Sequence, residues 1–375
     1  MDDALLGGLT PAQFLRRHWQ KNSLLVRKAI PGFEGPLSAD ALFALAARDD
    51  VESRIVLHER GRWSLLHGPF RRADRQTLPR RNWTLLVQGV NLQVLEADAL
   101  LRRFDFIPYA RLDDVMVSFA APGGGVGPHV DSYDVFLLQG FGRRRWRTSL
   151  QRDRALKPGS PLKILARFHA QHSRVLGPGD MLYLPPGVAH EGTALEACTT
   201  YSIGFRAPEA QELVVAFVDW LRDRVALSGR YADRDLAATR EPARIGATMR
   251  KRGIAMLRRL RWDDAAAAQF LGSYLTEPKP AVRFAVPAHR VDARSFRRAA
   301  ARRGVALDAR TQLLYDEQHL FINGEAVAWP SGASAIASSM KKLANERRLA
   351  AGELRGSAPI SLLYRWYCHG FVHLA

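Results

Sequence analysis

The chain has 375 residues, 47% apolar and 25% charged, an ordinary balance for a folded protein large enough for two or three domains. Two cysteines, Cys198 and Cys368, exclude a disulfide framework or a cysteine-rich zinc site, and no apolar run reaches the length of a membrane span, so no membrane association is expected. The net charge of +18 suits an anionic partner such as a ribosome or ribosomal RNA, but it is almost all arginine beside abundant alanine, so compositional habit accounts for it as well.

The opening Met-Asp-Asp lacks a basic region followed by an apolar run, so no secretory leader is expected and the reducing cytoplasm is the expected compartment. Thr10 can cap a helix, with Pro11 in its first turn and Gln13 completing a capping box, and Leu24-Leu25-Val26 reads as a buried strand. From Val51 to about Leu95 short strands alternate with turns: Ser53–His58, Trp63–His67 and Trp83–Gln88. Such spacing fits an all-β sandwich or barrel. Pro108, Asp113 and Asp114 are expected to break the next segment before the strand Val115–Phe119.

Next comes Pro122-Gly-Gly-Gly-Val-Gly-Pro-His-Val-Asp131, a glycine-rich turn leading into a strand. Side chains two apart on an extended chain share a face, so His129 and Asp131 lie together. They supply two of the three ligands of a 2-His-1-carboxylate centre, which leaves metal positions open for substrate and dioxygen. The best third candidate is His190, carried by a Pro-Pro-Gly turn after Met181–Leu184; His169 and His172, in a polar connecting segment, are its rivals. After Gly140-Phe-Gly142, alternation places Arg144 with Trp146 and Thr148, opposite Arg143, Arg145 and Arg147. The face shared with tryptophan is the inner one, and a buried arginine there needs an anion that its planar fork can grip, such as a carboxylate. Cys198–Phe205 is a further strand that closes the barrel.

The composition shifts at Pro208. Leu213, Phe217, Trp220 and Leu221 recur at helical spacing within 208–227, and further helices are expected over Ala243–Leu260 and Asp263–Leu275. Pro278-Lys-Pro280 reads as a linker. Beyond it are expected a helix over 291–303, strands at Thr311–Tyr315 and His319–Ile322 with Asn323-Gly324 reversing the chain, a helix over 333–346, and a final apolar segment Ser361–Val372. Helices with a small hairpin are compatible with a winged-helix module.

The run Gly-Gly-Gly-Val-Gly-Pro-His-Val-Asp-x-Tyr-Asp-Val-Phe, followed by Gln-Gly-x-Gly-Arg-Arg-Arg-Trp, resembles the JmjC-type bacterial ribosomal oxygenases of the cupin superfamily. The likeness runs from about Phe106 to Phe205. It implies an α+β chain: a double-stranded β-helix (jelly-roll) catalytic domain over 1–207, a helical dimerisation region over 208–280 and a winged-helix-like domain over 281–375. It implies iron(II) held by His129, Asp131 and His190, with 2-oxoglutarate and dioxygen as co-substrates. By the same likeness Arg144 grips the far carboxylate of 2-oxoglutarate and Ser118 lends a hydroxyl. The implied activity is hydroxylation of an arginine β-carbon on a large-subunit ribosomal protein, number sixteen, by a homodimer. Tyr133 and Asp134 are available as walls for the substrate guanidinium. Related oxygenases acting on histidine or demethylating lysine would need the same iron site. Two other classes remain open on the residues: a cupin metal enzyme without 2-oxoglutarate, and a ribosome- or RNA-binding protein with a non-catalytic barrel.

Overall fold

The computed structural model describes residues 4–329, 334–354 and 358–375; the Met-Asp-Asp opening and residue 333, an expected helix start, lie outside the described residues. The chain divides into two compact units, one of Met1–Ala207, Lys279–Thr311 and Glu346–Ala375, the other of Pro208–Pro278 and Gln312–Asn345.

Two antiparallel sheets dominate the first unit. The larger runs, in spatial order, Leu24–Val26, Met181–Leu184, Val135–Gln139, Cys198–Phe205, Leu112–Ala120, Trp83–Val87, Ser53–Glu59 and Arg62–His67. The smaller is His129–Val130, Ala189–Ala194, Arg144–Ser149 and His172–Leu176. Val135 and Leu137 of the large sheet and Trp146 and His190 of the small one line a common cavity, so the sheets face each other. The alternate residues Phe136 and Leu138 point to the opposite side, into the main core. There Phe136 meets Phe14 at 5.4 Å between ring centroids, Phe104 at 4.7 Å and Tyr183 at 4.8 Å. Both faces of the large sheet are therefore covered, which is why Val135–Gln139 and Cys198–Phe205 are buried at every position instead of alternating.

Several elements follow from local chemistry. Thr10 Oγ1 accepts from the Gln13 amide at 3.2 Å, and the Thr10 amide donates to Gln13 Oε1 at 2.9 Å, starting the helix Pro11–Arg17 with the expected capping box. Two helices that the sequence reading does not contain, Ala39–Ala46 and Leu95–Arg102, bury Leu42, Phe43 and Ala46 and Ala97, Leu100 and Leu101. Helices this short owe their stability to such burial more than to propensity. The expectation that Asp113 and Asp114 break the chain is corrected: both lie inside the strand Leu112–Ala120. Both fall where the pairing with Cys198–Phe205 shifts register between Val115 and Leu112, and the flanking residues carry the strand's pairing.

The first unit also contains a small sheet, Arg348–Leu349, Val305–Leu307 and Val372–Leu374, beside the helices Ala293–Arg303 and Ala358–Cys368. In the second unit the helices Ala210–Arg222 and Asp264–Thr276 share the aromatic contacts of Phe217 and Trp220 with Phe270. Asn323 and Gly324, at φ +48° and +90°, turn the chain so that Ile322 pairs with Glu325. The turn thus leads to a third strand, Glu325–Ala328, that the sequence reading lacks.

One carboxylate ties the edge of the large sheet to its neighbours. Asp180 accepts from the amides of Lys28 and Gly177, both at 3.0 Å, and from Arg27 Nη1 at 2.6 Å. Burial works to raise its carboxyl, but those backbone and guanidinium donors outweigh it and hold it below the usual carboxylate range. A depressed carboxyl stabilises the fold above its unfolded value and loses that contribution as pH falls through the folded one. Asp180→Asn is therefore expected to cost about 2 kcal/mol at pH 7 in urea unfolding, and the difference from wild type is expected to shrink as pH drops below about 4.

Candidate metal centre

The glycine-rich turn can approach its neighbours only without side chains. A Cβ at Gly124 would collide with the Trp83 carbonyl, and one at Gly125 with the Gly192 carbonyl on the strand Ala189–Ala194. That close approach seats His129–Val130 antiparallel to Ala189–His190, with His129 directly opposite His190. Each imidazole is aimed by the same local device. His129 Nδ1 lies 2.9 Å from the Gly127 carbonyl, and His190 Nδ1 lies 3.0 Å from the Val188 carbonyl. A carbonyl accepts only, so both Nδ1 atoms carry the proton and both Nε2 lone pairs are free.

Those lone pairs converge on one carboxylate: His129 Nε2 is 3.8 Å from Asp131 Oδ1, and His190 Nε2 is 3.5 Å from Asp131 Oδ2. One donor atom from each of the three residues lies within 4.8 Å of the others. Burial first, then the neighbouring His129 imidazole, push the His190 imidazole down to about 4 against the pull of Asp131, so it is neutral near pH 7, as a ligand must be. No other such group of His, Cys, Asp and Glu occurs among the described residues, and the rivals His169 and His172 are exposed.

The three donors open into a cavity of about 380 Å³ between the sheets. Arg144 and Trp146 are buried while Arg145 and Arg147 are exposed. Arg144 Nη1 donates to Ser118 Oγ at 3.3 Å, but its buried Nε and Nη2 have no hydrogen-bond partner. A desolvated guanidinium with unmet donors is costly unless an anion answers it, and a carboxylate fits its fork.

Tyr133 and Asp134 part company. Tyr133 lines the cavity, its phenol raised by burial and then by the charge of Asp131. The expectation that Asp134 walls the same pocket is corrected. Its carboxylate is fully buried behind the sheet, accepting from Tyr183 Oη at 2.5 Å and Gln20 Nε2 at 3.1 Å, with Arg111 Nη2 at 3.5 Å. Asp134 goes with Phe136, two positions on, which packs into the main core, while Tyr133 goes with Val135, which lines the cavity.

The acidic wall comes instead from Asp113 and Asp114, with Met116, all lining the cavity. The signal was present in the sequence: counting back from Ser118 by twos gives Met116 and Asp114 on the same strand face. Asp114 is buried, which raises its carboxyl, while Lys279 opposes that rise.

Residues 99–213 match the JmjC domain and residues 259–373 the ROXA-like winged helix. The solved structure of ycfD from Escherichia coli superposes with a TM-score of 0.83 at 33% identity, covering 97% of this chain and 98% of that one. The chain belongs to the JmjC-type ribosomal oxygenases. A further structure of the E. coli ribosomal oxygenase YcfD, in complex with cobalt and 2-oxoglutarate, matches with a TM-score of 0.80 at 33% identity over 97% of this chain and 98% of that one. The ribosomal protein uL16 3-hydroxylase of E. coli strain K12 is 45% identical over 232 residues, 61% of each chain. The aligned segment thus spans about three fifths of that curated relative.

In this ribosomal oxygenase the unanswered guanidinium gives a direct test. Arg144→Met, which removes a buried charge with two unmet donors, is expected to raise the stability of the ligand-free protein by about 1–4 kcal/mol in chemical denaturation. A loss of stability would show that the guanidinium is already satisfied.

Proposed function

We propose that the chain is an iron(II)- and 2-oxoglutarate-dependent oxygenase that hydroxylates the β-carbon of an arginine on ribosomal protein uL16. The observation that carries this reading is the shared cavity: three convergent donors, a buried arginine with two unpartnered donors, and an acidic wall. The donor set suits the metal, since two neutral imidazoles and one carboxylate leave coordination positions free. The orphaned donors of Arg144 suit the co-substrate, whose distal carboxylate is an anion of matching geometry.

In this reading His129, Asp131 and His190 hold the iron, and Arg144 with Ser118 holds 2-oxoglutarate. When bound, these groups with dioxygen supply the oxidising power that turns a C–H bond into C–OH, 2-oxoglutarate ending as succinate and carbon dioxide. The chain's own residues do the rest. Val126, Val135, Leu137 and Ile164 line the cavity with apolar surface and exclude water. Tyr133 offers a ring face, and Asp114 a carboxylate, to the guanidinium of the target arginine. Held at its charged end, that side chain presents its β-carbon and not its terminus to the metal.

Outside the cavity the reading includes a homodimer formed through 208–280, supported by the exposed Val214, Val215 and Val218 on Ala210–Arg222 and Leu257 on Ala247–Leu257. It includes action in the cytoplasm and association of the basic surface with ribosomes or ribosomal RNA, supported by the net charge of +18. No helix among the described residues is long and apolar enough to cross a membrane.

The decisive experiment incubates purified ribosomal proteins with the chain, iron(II) and 2-oxoglutarate, followed by mass spectrometry. Gain of one oxygen atom on one arginine of uL16 is expected, absent with His129→Ala and reduced at least tenfold with Asp114→Asn. Oxygen gained on a histidine instead, or none with no succinate formed, would overturn the reading. Val218→Arg is expected to convert a dimer into a monomer in light scattering; a wild-type monomer would remove the dimer from it.

A further inference from the structure

The segment Pro278-Lys279-Pro280 reads as a plain linker, yet its lysine is bound to the acidic wall. Lys279 Nζ lies 3.0 Å from Asp113 Oδ1 and 3.3 Å from Asp114 Oδ2. The two oxygens of Asp114 are treated differently. Oδ2 accepts from the Gly89 amide at 2.9 Å and from Lys279, while Oδ1 lies toward Gly204, which lines the cavity. One oxygen is thus anchored and the other is left toward the space where a substrate would enter.

The charges around it make the lysine significant. Asp113 is the neighbouring carboxylate, and Asp131 and Tyr133 line the same cavity. The other cations nearby are Arg54, which lines the cavity, and Arg206, whose Nε is 3.7 Å from Asp113 Oδ1. Two adjacent carboxylates, one of them buried, hold a proton between them unless a cation offsets the repulsion. Arg206 pairs with Asp113, whereas the Lys279 ammonium reaches both carboxylates and so offsets the charge of the buried Asp114 as well. Without it the pair takes up a proton, and a cationic substrate must displace that proton in order to bind.

We propose that Lys279 is a positioning residue that keeps Asp114 ionised with its outer oxygen turned to the cavity, and so sets the preference of the site for a cationic side chain. This rests on the arginine-pocket reading above. The lysine acts through the carboxylate and does not touch the substrate. It also gives the linker a task that a flexible connection could not perform: the flanking prolines restrict the backbone and fix where the ammonium is presented.

The test measures binding, not turnover. Wild type, Lys279→Met and Lys279→Arg, each loaded with cobalt(II) and 2-oxoglutarate, are titrated calorimetrically between about pH 5.5 and 8.5 with two peptides. One carries a uL16 arginine and the other citrulline, its neutral counterpart, at that position. Wild type is expected to prefer arginine. In Lys279→Met the fall in arginine affinity toward low pH is expected to begin about one to three pH units higher than in wild type, about tenfold of affinity per unit, with Lys279→Arg restoring the wild-type profile. Citrulline binding is expected to be independent of pH in all three. An unchanged pH profile in Lys279→Met would overturn the proposal, as would an equal loss for both peptides at every pH, which would make the lysine a structural prop. Lys279→Gln is the second variant if the methionine protein does not fold. Failure of wild type to distinguish arginine from citrulline would instead sink the arginine-pocket reading itself.

Discussion

The cavity between the two sheets mixes apolar and polar walls, and three of the titratable side chains that line it, Asp114, Arg144 and His190, have been taken out of water. That desolvation governs the site. His190 responds by staying neutral, and the Asp114 carboxyl rises even with an ammonium beside it. Arg144 keeps two buried donors without partners. A folded protein retains such arrangements at a cost in stability, and they make sense where a ligand supplies the missing partner.

Holding these groups in register falls to the backbone. His129 and His190 face each other because their strands pair antiparallel, and that pairing needs the glycines that let one chain lie against the Trp83 and Gly192 carbonyls. The bond from each Nδ1 to the carbonyl two residues earlier then fixes ring orientation without help from any other side chain. Behind the large sheet, the packed rings of Phe14, Phe104, Phe136 and Tyr183 back the strand Val135–Gln139, whose other face lines the cavity. A site placed on strands braced this way is held more closely than one built on loops.

Metal-binding and substrate-binding parts are separable. The convergent His129, Asp131 and His190 would serve any member of the JmjC-type oxygenases, whether the target is arginine, histidine or methylated lysine. In the proposed reading the preference for a guanidinium lies with Asp113, Asp114, Met116 and Tyr133, which line the same cavity. Asp134, beside Tyr133 in sequence, serves the fold instead, as the acceptor of the Tyr183 hydroxyl.

By itself the sequence determined those features that depend on neighbours along the chain. Alternation with period two put Arg144 inside with Trp146 and left Arg145 and Arg147 outside, and the Thr10–Gln13 box marked a helix start. The His-x-Asp pair on one strand face is local in the same way, because residues two apart always share a side. The tertiary structure alone decided what depends on strands distant in sequence coming together. His190 already led His169 and His172 by its Pro-Pro-Gly turn, but the register that sets it opposite His129 is contained in no local pattern. The tertiary structure sent Asp134 into the core and placed Asp113 and Asp114, which looked like chain breakers, at a register shift within the strand Leu112–Ala120, where both line the cavity. It also brought Lys279 to that strand across 165 residues, a meeting fixed by how the chain packs and not by any spacing along it.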